Sequence, residues 1–115
     1  MGVTIITNSE NISRMKDMSK TIDTRLNKGA IRYLELGETV TYINEADVED
    51  KVDVVLRHRV LASSFKLLYQ LIPIEQLGIS EDCLTPDLYK STEMEYCGKD
   101  IDDYGCIALI FELKE

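Results

Sequence analysis

The chain has 115 residues, 44% of them hydrophobic and 30% charged, and carries a formal net charge of −8. That length predicts one domain, residues 1–115, around a single packed core. No apolar run is long enough for a membrane-spanning helix, and the acidic balance argues against generic long-range binding to phosphate backbones.

The N-terminal MGVTIITNSE lacks the basic start and apolar middle of a signal peptide. Ile6 stands where a myristoylation site needs serine or threonine, so a cytoplasmic location is the default expectation. Residues 3–6 are a β-branched run suited to a first strand. Asn8-Ser9-Glu10 supplies capping residues, and Ile12, Met15 and Met18 recur at helical spacing, which predicts a helix over 11–18. Residues 21–25 alternate as a strand with Ile22 inward and Thr21, Asp23 and Arg25 on the other face. Asn27-Lys28-Gly29 is a turn, 30–34 suits one helical turn, and 39–43 alternates as the next strand before the polar loop at 44–47.

Residues 51–62, KVDVVLRHRVLA, carry the strongest β pattern. Val52, Val54, Leu56, Val60 and Ala62 fall on one face at period two, and His58 falls with them. A strand this long usually bends, and a bulge near His58 would turn that side chain outward. Ser63-Ser64 caps a helix carrying Phe65, Leu68, Tyr69 and Ile72, ended by Pro73. Residues 73–78 read as a short helix stopped by Gly78, 86–94 as a third helix, and 95–103 as an acidic loop. The last strand is 105–113, with Ile107, Leu109, Phe111 and Leu113 on one face. Strands separated by loops or single helices favour a mainly β, α+β architecture: a small barrel or mixed sheet with flanking helices.

Cys83, Cys97 and Cys106 match no zinc spacing, and an odd count points to reduced thiols; none reads as a nucleophile. His58 is the only histidine, so a multi-histidine metal site is excluded, and no cofactor motif is present. Charge is unevenly spread. Residues 14–32 hold Arg14, Lys16, Lys20, Arg25, Lys28 and Arg32 against Asp17 and Asp23, whereas 93–103 is acidic. A basic patch on an acidic body and a mixed solvated surface are the two readings.

The run KTIDTRLN, the following LGETVTYIN, the SFKLLYQ helix, IEQLG and the final YGCIALIFEL strand resemble, in order and spacing, the ASCH family. The resemblance covers nearly the whole chain. It implies a PUA-like β-barrel with a cleft lined by the KTIDTR strand, and RNA or a small nucleoside-like ligand as partner. One enzymatic branch of that superfamily removes the acetyl group of N4-acetylcytidine. It uses a lysine, a threonine nucleophile three residues later, and a glutamate from the later helical region. Lys20 matches the lysine, Asp23 stands at the nucleophile position with Thr21 and Thr24 beside it, and Glu75 lies near the glutamate.

The expected ligand contacts are therefore Lys20, Asp23, Arg25 and Tyr104. Arg25 suits a phosphate or base edge, and Tyr42, Tyr69 and Tyr104 suit stacking on a base. The bland counterparts are a rim ion pair, a salt bridge between Arg25 and Asp23, and tyrosines at the core edge. For the hydrolase alternative the catalytic set is Lys20 as base, Thr24 (or Thr21) as nucleophile and Glu75 as proton relay. A strict strand would put Lys20 and Asp23 on opposite faces, so joint action requires a bend or a strand that begins after Lys20.

Overall fold

The computed structural model of the chain describes residues 2–114. Five strands form one mixed sheet in the order β1-β3-β4-β5-β2: β1 (Val3–Thr7), β2 (Ile22–Leu26), β3 (Thr39–Asn44), β4 (Asp47–Ala62) and β5 (Cys106–Leu113). β1 and β3 are parallel, and all other neighbours are antiparallel. The sheet curls into a half-barrel with β1 and β2 at its edges, so the expected α+β architecture is the one observed.

Each face of the sheet buries its own core. The inner face carries Val40, Tyr42, Val54, Leu56, Leu109 and Phe111. Helix α1 (Ser9–Lys16) closes it with Ile12 and Met15. Asn8 starts α1 by accepting the Asn11 amide at 2.8 Å, which satisfies one of the free N–H groups of the first turn. The outer face carries Ile22, Leu26, Cys106 and Ala108, covered by Phe65 and Leu68 of α2 (Phe65–Leu71). Ser64 caps α2 as its sequence predicts. Burial pushes the Cys106 thiol up to about 11, which keeps it protonated and inert.

One bulge connects the two cores. The β4–β5 register slips between Leu56 and His58. A one-residue slip sends the following side chains to the opposite face. Val52, Val54 and Leu56 therefore pack inside the half-barrel, whereas Val60 and Ala62 pack outside against the helices. The sequence reading put all five on one face; the bulge corrects that, and it leaves His58 exposed on the outer side.

The alternation in β2 is as expected, with Ile22 fully buried in a core and Asp23 and Arg25 on the opposite face, but that second face is not solvent-facing. Ile22 packs outward under the helices, while Asp23 and Arg25 lie on the side of Leu109 and Ile107, toward the half-barrel interior. Segments 29–33, 74–76 and 81–83 are 3-10 turns, and the third helix is reduced to α3 (Tyr89–Glu93). The acidic stretch read as a loop contains a further helix, α4 (Gly98–Tyr104), which buries Ile101 and stops at Gly105 with φ 73°.

Candidate functional site

The chain leaves α1 through Met18 in a left-handed conformation, φ 67°. It then brings Lys20 alongside Leu77 as an isolated bridge just before β2. Lys20 therefore precedes the strand, which removes the objection that it and Asp23 must face opposite ways. Its side chain is only 7% exposed, and Nζ donates to the Ile22 and Leu77 carbonyls at 2.9 Å each. Desolvation pulls its pKa below the ordinary lysine value; the Asp23 charge opposes this, and Arg25 and Arg14 add to it.

Asp23 is 8% exposed. Its Oδ2 accepts from Arg25 Nε at 2.6 Å and from the Tyr42 hydroxyl at 2.7 Å. Tyr42 is fully buried, and burial together with the Asp23 charge raises its pKa well above the ordinary value. No Lys20–Asp23 ion pair forms among the described residues; Asp23 pairs with Arg25 instead. On the outer side of β2, the Thr24 hydroxyl lies 3.1 Å from Tyr69 Oη, which lies 2.6 Å from Thr92 Oγ1. That hydroxyl chain ties β2 to α2 and α3.

These groups meet in a hollow of about 180 Å³ along the free edge of β2. Lys20, Asp23 and Leu77 form its buried part, Thr24, Tyr69 and Thr92 one wall, and Asn11, Ile79 and Glu95 complete it. Two wider hollows, about 580 and 660 Å³, open elsewhere on the surface. Neither is lined by a buried residue, so the smaller hollow is the better site despite its size.

Of the residues singled out in the sequence, Lys20, Asp23 and Thr24 share this hollow, and Arg25 reaches it through Asp23. Glu75 is exposed on its 3-10 turn and outside the lining; the glutamate present there is Glu95. Tyr104 lies at the end of α4, where Lys28 Nζ sits 4.9 Å from its ring centroid. Thr21 bonds Gln76 through its hydroxyl at 2.9 Å. Thr92, Glu95 and Asn11 carry no sequence signal, because they converge from α3, its exit and α1 only on folding.

The basic stretch is largely tied down locally. Arg14 bonds Glu10 and the Gly78 carbonyl, Lys16 pairs with Asp50, Lys20 is buried and Arg25 holds Asp23. No group of three or more histidine, cysteine, aspartate or glutamate side chains is placed to hold a metal among the described residues.

No protein-family model and no curated protein matches the sequence. Solved structures do. The hypothetical protein PH0355 is 23% identical with a TM-score of 0.79, over 99% of this chain and 100% of that one. Protein PF0455 from Pyrococcus furiosus is 19% identical with a TM-score of 0.71, over 100% and 99%. ASCH from Zymomonas mobilis is 13% identical with a TM-score of 0.66, over 95% of this chain but 65% of that one. Backbone agreement at such low identity speaks to the fold, and the half-barrel with its helices is the one the KTIDTR resemblance implied: this chain has the ASCH-domain fold.

Proposed function

We propose that the hollow beside β2 is a binding site for RNA or a small nucleoside-like ligand, recognised through Lys20, Asp23 and Arg25. The observation that carries this is a buried lysine amine and a buried carboxylate opening into one concave site, each held in place by other groups. A charged Lys20 spends two N–H groups on carbonyls and keeps one for a ligand oxygen. Arg25 orients Asp23 rather than gripping a phosphate. Tyr104, outside the hollow, would meet only a ligand long enough to reach α4.

The hydrolase alternative has its own support. Neutral Lys20, with both N–H groups on carbonyls, would keep its lone pair free to take a proton, and the Thr24 hydroxyl lies in the same hollow. Glu75 is outside, so in that reading the proton relay passes to Glu95.

Thermal-shift and mass-spectrometric assays with cytidine, N4-acetylcytidine and short single-stranded RNA, beside Lys20→Ala, decide between them. Stabilisation without turnover, lost in the variant, is the expected result. Acetate release that disappears in Lys20→Ala would replace binding by hydrolysis. No response to any ligand would remove both readings.

A further inference from the structure

The free edge of β2 carries more information than its side chains. Phe111 N–H donates to the Thr21 carbonyl and Asn27 N–H to the Gly105 carbonyl, both at 3.0 Å. These bonds bracket the register that runs from Ile22↔Ile110 to Leu26↔Cys106. In an antiparallel pair, residues that exchange hydrogen bonds alternate with residues that do not. Asp23 and Arg25 therefore direct their amides and carbonyls at β5, while Ile22, Thr24 and Leu26 direct theirs away from it, to the open edge. The Ile22 carbonyl is taken by Lys20 Nζ. The Thr24 amide and carbonyl bond to nothing else among the described residues, and Thr24 lines the hollow.

We propose that Thr24 reads a nucleobase with its backbone, donating its N–H to an acceptor on the pairing edge and accepting an adjacent base N–H at its carbonyl. This rests on the nucleoside or RNA reading above and adds the part of the ligand that is read. A strand residue leaves its N–H and C=O on the same side, so Thr24 offers one donor beside one acceptor. The pairing edges of bases carry the complementary pair.

Three observations favour a base over other occupants. The Lys20↔Leu77 bridge and the bond from Thr21 N–H to the Gln76 carbonyl cover the start of the β2 edge. Among the described residues only the stretch from Thr24 to Leu26 has no such partner, too short for an added peptide strand, which depends on a run of main-chain bonds. A volume of about 180 Å³ suits one ring. Carboxylates of Asp23 and Glu95 border the hollow, and two of the Lys20 N–H groups are already committed, so a phosphate is disfavoured inside. The base enters and the sugar-phosphate stays outside.

The test is calorimetric titration, with amide NMR, of the intact chain with cytidine, uridine and adenosine. The same three nucleosides methylated on the pairing edge are run alongside, with ribose 5-phosphate and a short extended peptide. The expected result is a shifted Thr24 amide and an affinity loss of about tenfold or more on edge methylation. Thr24→Pro deletes the N–H that β5 does not use, a change edge strands tolerate. It should lose more affinity than Thr24→Val, which removes only the hydroxyl. Should Thr24→Pro fail to fold, the methylated nucleosides decide alone. Equal binding of parent and methylated nucleosides would overturn this proposal while leaving the nucleoside site standing. Binding of the peptide or ribose 5-phosphate in place of the nucleosides would overturn it in favour of strand addition or phosphate recognition. No binding at all would remove the proposed function with it.

Discussion

Lys20 is the residue on which the site turns, and its environment makes a pH-dependent prediction. A lysine whose pKa is depressed on folding holds fewer protons in the native than in the unfolded state. Native stability therefore rises with pH through the window below its ordinary 10.5. Lys20→Met removes that contribution, so urea melts between about pH 7 and 10 should show the native protein gaining on the variant as pH rises. A pH-independent gap would mean the amine is not desolvated. Tyr42 has the opposite sign. Its raised pKa contributes stability that is complete below 10.0 and is lost as pH climbs above it. Tyr42→Phe should blunt that alkaline loss and, near neutrality, cost about 1–3 kcal/mol, because Asp23 loses a buried donor. Gly78 supports the same site from behind. It holds φ at +74°, and a Cβ there would lie 2.6 Å from Lys20 Cβ. Gly78→Ala should destabilise by more than about 1 kcal/mol and displace Lys20, weakening nucleoside binding beyond what the melt alone explains.

Among the elements, α4 shows how a short helix hides in a charged sequence. Its apolar contribution is one buried residue, Ile101, among acids and after a glycine, so no amphipathic stripe marks it. Its position next to β2 nevertheless makes Ile101 part of the outer core. Ile101→Ala should cost about 2–5 kcal/mol in urea unfolding with little change in the m-value. A cost below about 0.5 kcal/mol, in the range of surface substitutions, would show that α4 merely rests on the surface. The β4 bulge acts on a larger stretch. It lets one strand supply both cores, and without it Val60 and Ala62 would face the half-barrel interior and leave α2 uncovered.

At the scale of the whole molecule, net charge and the disposition of cations set how binding should respond to salt. The chain carries −8, and four of the six cations between residues 14 and 32 are held in local pairs or buried. With Lys20 the one cation lining the hollow among the described residues, few counterions are released on binding. The logarithm of the RNA affinity should then fall against the logarithm of salt with a slope no steeper than about −0.7. Fluorescence anisotropy with a labelled single strand measures it. A slope of about −3 or steeper would relocate binding to a surface stretch that neutralises several phosphates.

Local pattern determined much of this protein. Period-two runs at 39–43 and 51–62, the caps at Asn8 and Ser64, and the KTIDTR run were legible because neighbouring residues alone produce those signals. The resemblance to the ASCH family, and the fold it implied, rested on such runs, whereas the shared cleft of Lys20 and Asp23 did not follow from them, because strict strand alternation puts the two on opposite faces. What lay beyond the sequence depends on groups distant in the chain. The bulge that divides β4 between two cores is a matter of pairing with β5. The burial of Lys20 depends on the Leu77 carbonyl, 57 residues away. The hollow itself closes only when α1, α2 and α3 converge on one edge of β2. Between bulges, periodicity fixes which side of a strand a residue occupies, but only pairing decides where a bulge resets it, and only the packed partners decide which side is core and which is site.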